Sequence, residues 1–334
     1  MRITGAFHES VKLLALLPVS WLVPFGQLGP LARAIRKAKG RRNDRHGASD
    51  SVIAHLLDGV TPSEAAELFQ RWQDRSLEMA LQILALQRPG RFWRPRIEVS
   101  GFENLAAALR RGSGAILWIS DFVYRPLIVP LAVRQAGFRS PVHLSRPEHG
   151  FSVSPFGVRF LNPLWVAVEN AFLSERVVIE KDDASAGLKT LRERLAANQI
   201  VSITVAETGR RTLDAKFLHG TLRVASGPVH LARTTGAPLL PIFALRNAAG
   251  AYNVSIGPAL PVDDGADPPY STAIRAYAAQ LEPFVRKYPD QWNGWIALGR
   301  LVENTPAFIA GFDCADAIAR ELERIGLPPQ AALG

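Results

Sequence analysis

From residue 96 onward, short apolar runs alternate with amphipathic stretches, and this alternation restricts the chain to few architectures. IEVSG, GAILWIS, PVHLS, RVVIE, IVSITVA, PLLPIFAL and YNVSIG read as strands. ENLAAALRR, PLIVPLAVRQAG, DASAGLKTLRERLAAN and VASGPVHLARTTG read as the helices between them, with YSTAIRAYAAQLEPFVRKYP as one more after the sheet. Apolar strands separated by helices mark crossover units, so the fold class is α/β: a mainly parallel central sheet flanked by helices. Ahead of the sheet, TPSEAAELFQRWQDRSLEMALQILAL carries clear helix-start signals, with Thr61 as cap, Pro62 at the first helical position and Glu64 at capping-box spacing. Leu68, Trp72, Met79 and Ile83 follow as a core-facing stripe. In open sheets of this class, ligands gather beyond the carboxyl ends of strands. Asp121 ends one strand run, Arg146 lies just beyond another and Glu207 ends a third, so three polar residues from distant parts of the chain converge on one edge.

The N-terminus has a different character. Leu13 to Ala32 contains no charge over 20 residues, about the length that crosses a hydrocarbon core as a helix. Pro18, Pro24 and Pro30 each remove a backbone donor, which favours a broken hairpin or in-plane helix in one leaflet over a straight span. Seven basic residues lie between Arg33 and Arg45 against the single acid Asp44, part of a formal charge of +9. Such a cluster is drawn to an anionic membrane surface and to the cytoplasmic side. No small-residue cleavage site follows, so a secretory signal peptide does not fit. The expected division is a hydrophobic membrane-anchoring and basic segment over 1–45, the α/β domain over 46–302 and a C-terminal helical extension over 303–334. Cys314 is the sole cysteine, which excludes an intramolecular disulfide and fits a buried thiol without chemistry. No zinc-ligand spacing, phosphate-binding glycine loop, dinucleotide fingerprint or nucleophile elbow is present, so no metal or cofactor is expected. The basic residues are not interleaved with aromatics on a nucleic-acid module, so no nucleic acid is expected either.

Taken in order, GSGAILWIS, PVHLSRP, RVVIEKDDASAGLKTLRERLAANQIVSITVAETGRR, KFLHGTLRVASGPVHLARTTGAPLLPIFALR and YPDQWNGW resemble the bacterial lipid A biosynthesis acyltransferases. These are the lauroyl and myristoyl transferases and their relatives that acylate phosphatidylinositol mannosides. The resemblance runs over roughly residues 10 to 300. It implies a lysophospholipid acyltransferase-type fold and transfer of an acyl group from acyl carrier protein or acyl-CoA to a membrane lipid, glycolipid or other hydroxyl or amine acceptor. It also implies the cytoplasmic face of a bacterial inner membrane. In the family, the loop after GSGAILWIS begins with a histidine separated by four residues from Asp or Glu, because a neutral alcohol needs a base to become a nucleophile near pH 7. Here Asp121 stands in the histidine position and Pro126 in the acid position.

A carboxylate is about two and a half pH units weaker as a base than imidazole, so Asp121 would need an apolar setting or a second acid to serve. Trp118, Ile119, Phe122 and Val123 surround it in sequence, and Glu207 matches an acid that the resemblance places near the histidine. Asp121 and Glu207 are therefore the candidate catalytic pair; the alternative is that Asp121 merely caps the following turn or helix. The resemblance implies that Arg146 and Arg210, followed by Arg211, are substrate-binding residues, and their planar donors suit phosphate, with surface charge as the plain alternative. The resemblance implies that Phe217 and Gly220 lie against an acyl chain, which core packing explains equally well. His143 and Glu148 repeat the family spacing one strand later, as a relocated dyad or a chance match. Two functions remain open: an acyltransferase with a non-standard site, or a catalytically inactive member acting as an acyl-lipid-binding or scaffold protein in a membrane biosynthetic complex.

Overall fold

All seven apolar runs form one sheet in a computed structural model that describes residues 15–38, 53–54, 56–180, 184–206, 209, 211–262, 265 and 268–295. The strands, numbered along the chain, are β1 (Ile97–Ser100), β2 (Ala115–Ile119), β3 (Val142–Ser145), β4 (Glu175–Val178), β5 (Ile200–Thr204), β8 (Leu239–Arg246) and β9 (Tyr252–Ile256), with β6 (Thr212–Phe217) and β7 (Gly220–Ala225) forming a separate hairpin. Their order in the sheet is β1-β9-β8-β2-β5-β3-β4. Every neighbouring pair is parallel except β8 with β9. The carboxyl ends of β2, β3, β4, β5 and β8 therefore share one edge, which Asp121 and Arg146 enter.

The helices are α1 (Leu28–Ala38), α2 (Pro62–Leu86), α3 (Phe102–Arg110), α4 (Arg125–Gln135), α5 (Pro155–Phe160), α6 (Asn162–Asn170), α7 (Ser185–Ala196), α8 (Gly227–Thr235) and α9 (Ser271–Lys287). They cover both faces of the sheet, which is why β2 is buried at every position. Its alternate side chains enter different cores. Ile116 and Trp118 join Phe217, Tyr277, Trp292 and Trp295 on one side, while Leu117 and Ile119 join Tyr124, Leu127 and Ile128 on the other. Gly114, which opens β2, has φ +71°, and a Cβ there would lie 2.7 Å from the Gln199 carbonyl oxygen, so the GSG before the strand is a steric requirement.

The start of α2 matches its sequence signals. The Glu64 amide donates to Thr61 Oγ1 at 3.3 Å and the Thr61 amide to Glu64 Oε2 at 2.8 Å. Leu68, Met79 and Ile83 are buried as a stripe, and Trp72 is partly buried beside them. Two features escaped the alternation pattern. Leu213, Ala215 and Phe217 point inward while Asp214 and Lys216 are exposed, a period of two that makes β6 a strand. Val224 and Ala225 accordingly belong to β7, and the helix expected over VASGPVHLARTTG starts only at Gly227. The second feature, α5 with α6, fills a stretch not read as helical; Ser154 caps α5 by accepting from the Gly157 amide at 3.0 Å.

At the N-terminus, residues 15–22 are helical, Val23 and Pro24 break the helix, and a single turn over Phe25–Gln27 leads into α1. No helix among the described residues is long and apolar enough to cross a membrane. Leu28 and Ala32 of α1 pack against Leu81 and Ala85 of α2, and Arg36 pairs with Asp74 at 2.7 Å. The rest of the basic cluster, residues 39–45, lies outside the described residues, as do the expected extension over 303–334 and Cys314.

Candidate active site

The loop after β2, residues 120–124, is tied down at every position. Ser120 Oγ accepts from the Tyr277 hydroxyl at 3.0 Å. Phe122 forms a bridge with Trp292, and the Val123 amide donates to the Gln291 carbonyl at 2.8 Å. The Tyr124 hydroxyl donates to buried Glu78 at 3.0 Å, and Glu78 also pairs with Arg246 from the end of β8. Burial pushes the phenols of Tyr124 and Tyr277 up, Glu78 adding to the effect at Tyr124, so both remain donors at neutral pH.

Asp121 sits in the middle of this loop. Its Oδ1 accepts from Arg125 Nε at 2.6 Å and from Asn293 Nδ2 at 2.8 Å, and its carbonyl accepts from the Asn293 amide at 2.8 Å. The orientation of Asn293 follows from its other partner: Trp72 Nε1, which can only donate, lies 3.2 Å from Oδ1, so the amide nitrogen faces the carboxylate. Among the described residues, no donor reaches Asp121 Oδ2, and the side chain is 31% exposed. The setting is thus a charged and amide clamp on one oxygen rather than the apolar surround that its sequence neighbours suggest. The capping alternative does not hold, because α4 begins at Arg125 with no side-chain cap and Asp121 bonds a side chain four residues on.

YPDQWNGW, residues 288–295, is the strap that makes this clamp. Asp290 Oδ2 accepts from Arg75 Nε and Nη2 at 2.9 and 2.7 Å, and Gln291 exchanges hydrogen bonds of 2.8 and 2.7 Å with the backbone of Arg246. Gly294 has to be glycine, since a Cβ would meet the Trp292 ring at 2.4 Å.

Behind α4 lies a small cleft, with room for little more than a water molecule, lined by Arg125, Pro126, His143, Glu169, Ser202 and Thr204 among others. His143 Nδ1 is 2.9 Å from Ser202 Oγ across the β3–β5 register. No hydrogen bond joins His143 to Glu148, as the chance-match reading of their spacing has it. Instead His149, its neighbour in sequence, has Nε2 2.8 Å from Glu169 Oε2, and Trp165 Nε1 donates to Glu169 Oε1 at 2.7 Å. Desolvation holds the His143 imidazole down at about 3, so it is neutral at physiological pH. Burial alone would raise Glu169, but His149 and Arg176 hold it down at about 2.

The remaining candidates divide. Phe217 is fully buried, with its ring 5.6 Å from that of Trp292, and so belongs to the core beneath the strap. Gly220 opens β7 opposite Phe217 in the hairpin turn. Arg146 is exposed just after β3 at the carboxyl edge. Glu207 and Arg210 lie outside the described residues. Sequence reasoning missed Arg125 and Asn293. The four-residue spacing from Asp121 to Arg125 is a legible ion-pair signal; the 172-residue separation from Asp121 to Asn293 is not.

The order of elements defines a mixed α/β domain in which a mostly parallel seven-stranded sheet is flanked by helices. The family model described as bacterial lipid A biosynthesis acyltransferase matches residues 9–297, and the chain belongs to that family. A comparison with curated proteins gives no match.

Proposed function

We propose that this protein is a membrane-associated acyltransferase that moves an acyl group from acyl carrier protein or acyl-CoA to a lipid, glycolipid or other hydroxyl or amine acceptor at the cytoplasmic face of a bacterial inner membrane. The observation that carries the reading is the fixed loop: the residue in the position of the family base is held by a strap, a helix and the end of a strand, as catalysis by positioned groups requires. In this reading Asp121 Oδ2 takes the proton from the acceptor as its oxygen or nitrogen attacks the thioester carbonyl. The tetrahedral intermediate then collapses, the C–S bond breaks, and the proton passes from Asp121 to the departing thiolate. Asn293 and Arg125 position the carboxylate, and Glu207, Arg146 and Arg210 serve as acid and substrate contacts. An amine acceptor, once deprotonated, needs least from so weak a base.

The second reading, an inactive acyl-lipid-binding or scaffold member, is favoured by the same ion pair seen from the other side, since Arg125 already neutralises Asp121 and Pro126 carries no acid. Purified full-length protein incubated with labelled acyl carrier protein or acyl-CoA and a bacterial lipid extract separates the two. Label appearing in a lipid, and lost with Asp121→Ala, supports transfer. Label that binds without turning over supports the scaffold.

A further inference from the structure

Nine large apolar side chains are exposed among the described residues, and four of them lie on or just before α5 and α6. Val153, Phe156, Phe160 and Leu164 are 75%, 40%, 54% and 36% exposed, and the N-terminal helical segment exposes Val19 and Leu22. Phe156 and Phe160 are four residues apart on α5, which sets them on one face, and Leu164 is exposed at the start of α6. The Phe156 and Phe160 rings lie 4.8 Å apart, and the Arg159 guanidinium stands 5.6 Å over Phe160. The segment after α2 joins this face to the N-terminal helical segment: Gln87 donates to the Leu164 carbonyl, Arg88 to the Trp21 carbonyl at 2.9 Å, and Trp21 Nε1 to the Leu84 carbonyl at 3.0 Å.

Charge selects the occupant. Residues 15–38, 87–96 and 151–168 carry three, four and one basic side chains respectively, and none of the three segments carries an acidic one. Of these eight cations Arg36 pairs with Asp74 and Arg96 with Glu98, which leaves an excess of basic side chains beside the apolar ones; that combination fits the headgroup boundary of an anionic bilayer, where rings bury and guanidinium groups meet phosphates. A protein partner with an apolar patch would not need this one-sided charge.

We propose that the α5–α6 face is a bilayer-docking surface, seated on anionic lipid together with the N-terminal helical segment. It deepens the membrane-associated reading above by naming a second contact, remote in sequence from the N-terminus, that sets how the domain sits.

The test is co-sedimentation of the full chain with phosphatidylcholine vesicles, with and without phosphatidylglycerol. The wild type should bind the mixed vesicles more tightly, and added salt should weaken that difference. Phe156→Asp with Phe160→Asp should lower partitioning by roughly 100-fold, from two lost aromatic contacts and two added charges. Val153→Asp with Arg159→Glu, both at exposed positions, should act in the same direction and guards against misfolding of the aromatic pair, with circular dichroism as the check. Loss of binding with Leu22→Asp and Phe92→Asp but not with either α5–α6 variant would overturn the second contact while leaving membrane association intact. A wild type that binds neither vesicle would overturn both. Unchanged vesicle binding, with a dimer converted to monomer in sedimentation velocity, would assign the face to a second copy and overturn the proposal.

Discussion

His143 offers a quantitative test of the cleft behind α4. Its imidazole is held at about 3 by desolvation, against 6.5 for an unburied one. The folded state therefore refuses a proton that the unfolded chain accepts, so this group weakens folding progressively as pH falls below the unfolded value. Above about 6.5 it has no effect; between pH 6.5 and 5 it should remove about 2 kcal/mol, at 1.4 kcal/mol per pH unit. His143→Asn keeps a polar atom near Ser202 and does not titrate. Urea unfolding at pH 7, 6 and 5 on both proteins isolates the contribution, since every other group is common to them. The variant's stability should fall by about 2 kcal/mol less than that of the wild type from pH 7 to pH 5. Parallel curves would mean that the ring is hydrated and the Ser202 pairing is wrong.

Further predictions rest on the strap and the loop. Gly294→Ala places a methyl group in the Trp292 ring and should destabilise by about 1–3 kcal/mol, read as a lower denaturant midpoint. Asp121→Ala leaves the mostly buried Arg125 without its counter-charge and should cost about 1–3 kcal/mol, measured in the same way; no change would mean that the pair contributes nothing to folding. Asn293→Ala should lower kcat more than it raises KM, because it frees the Asp121 carboxylate without touching substrate, while the backbone bond from residue 293 to the Asp121 carbonyl persists. Glu169→Gln removes a carboxylate that stabilises the fold above its ordinary range and loses that contribution as pH falls toward 2, so the variant should be less stable at pH 7 with the gap narrowing in acid.

The sheet was legible because its strands carry apolar side chains toward helices on both faces, and the capping box of α2 because its signals are local. The β6–β7 hairpin was equally legible in the alternation from Leu213 to Phe217, but a motif spanning KFLHGTLRVAS drew attention to the helix behind it. The surroundings of Asp121 were not legible. Phe122 and Val123 do flank it and are buried, yet consecutive residues in a loop point in different directions, and its contacts come from Arg125 on α4 and from Asn293 across the fold. Such long-range clamps leave no periodicity to read. Only the place of YPDQWNGW in the family resemblance pointed to the segment at all.

The central claim is that Asp121 stands in for the missing imidazole as proton acceptor. Acyl-transfer rates for the wild type, Asp121→Asn and the double variant Asp121→His with Pro126→Glu test it most directly. The account predicts turnover by the wild type and a loss of at least about 100-fold in Asp121→Asn, which keeps the shape of the side chain but takes up no proton. An inert wild type that gains activity only in the double variant would contradict it, leaving a scaffold that the dyad alone can awaken.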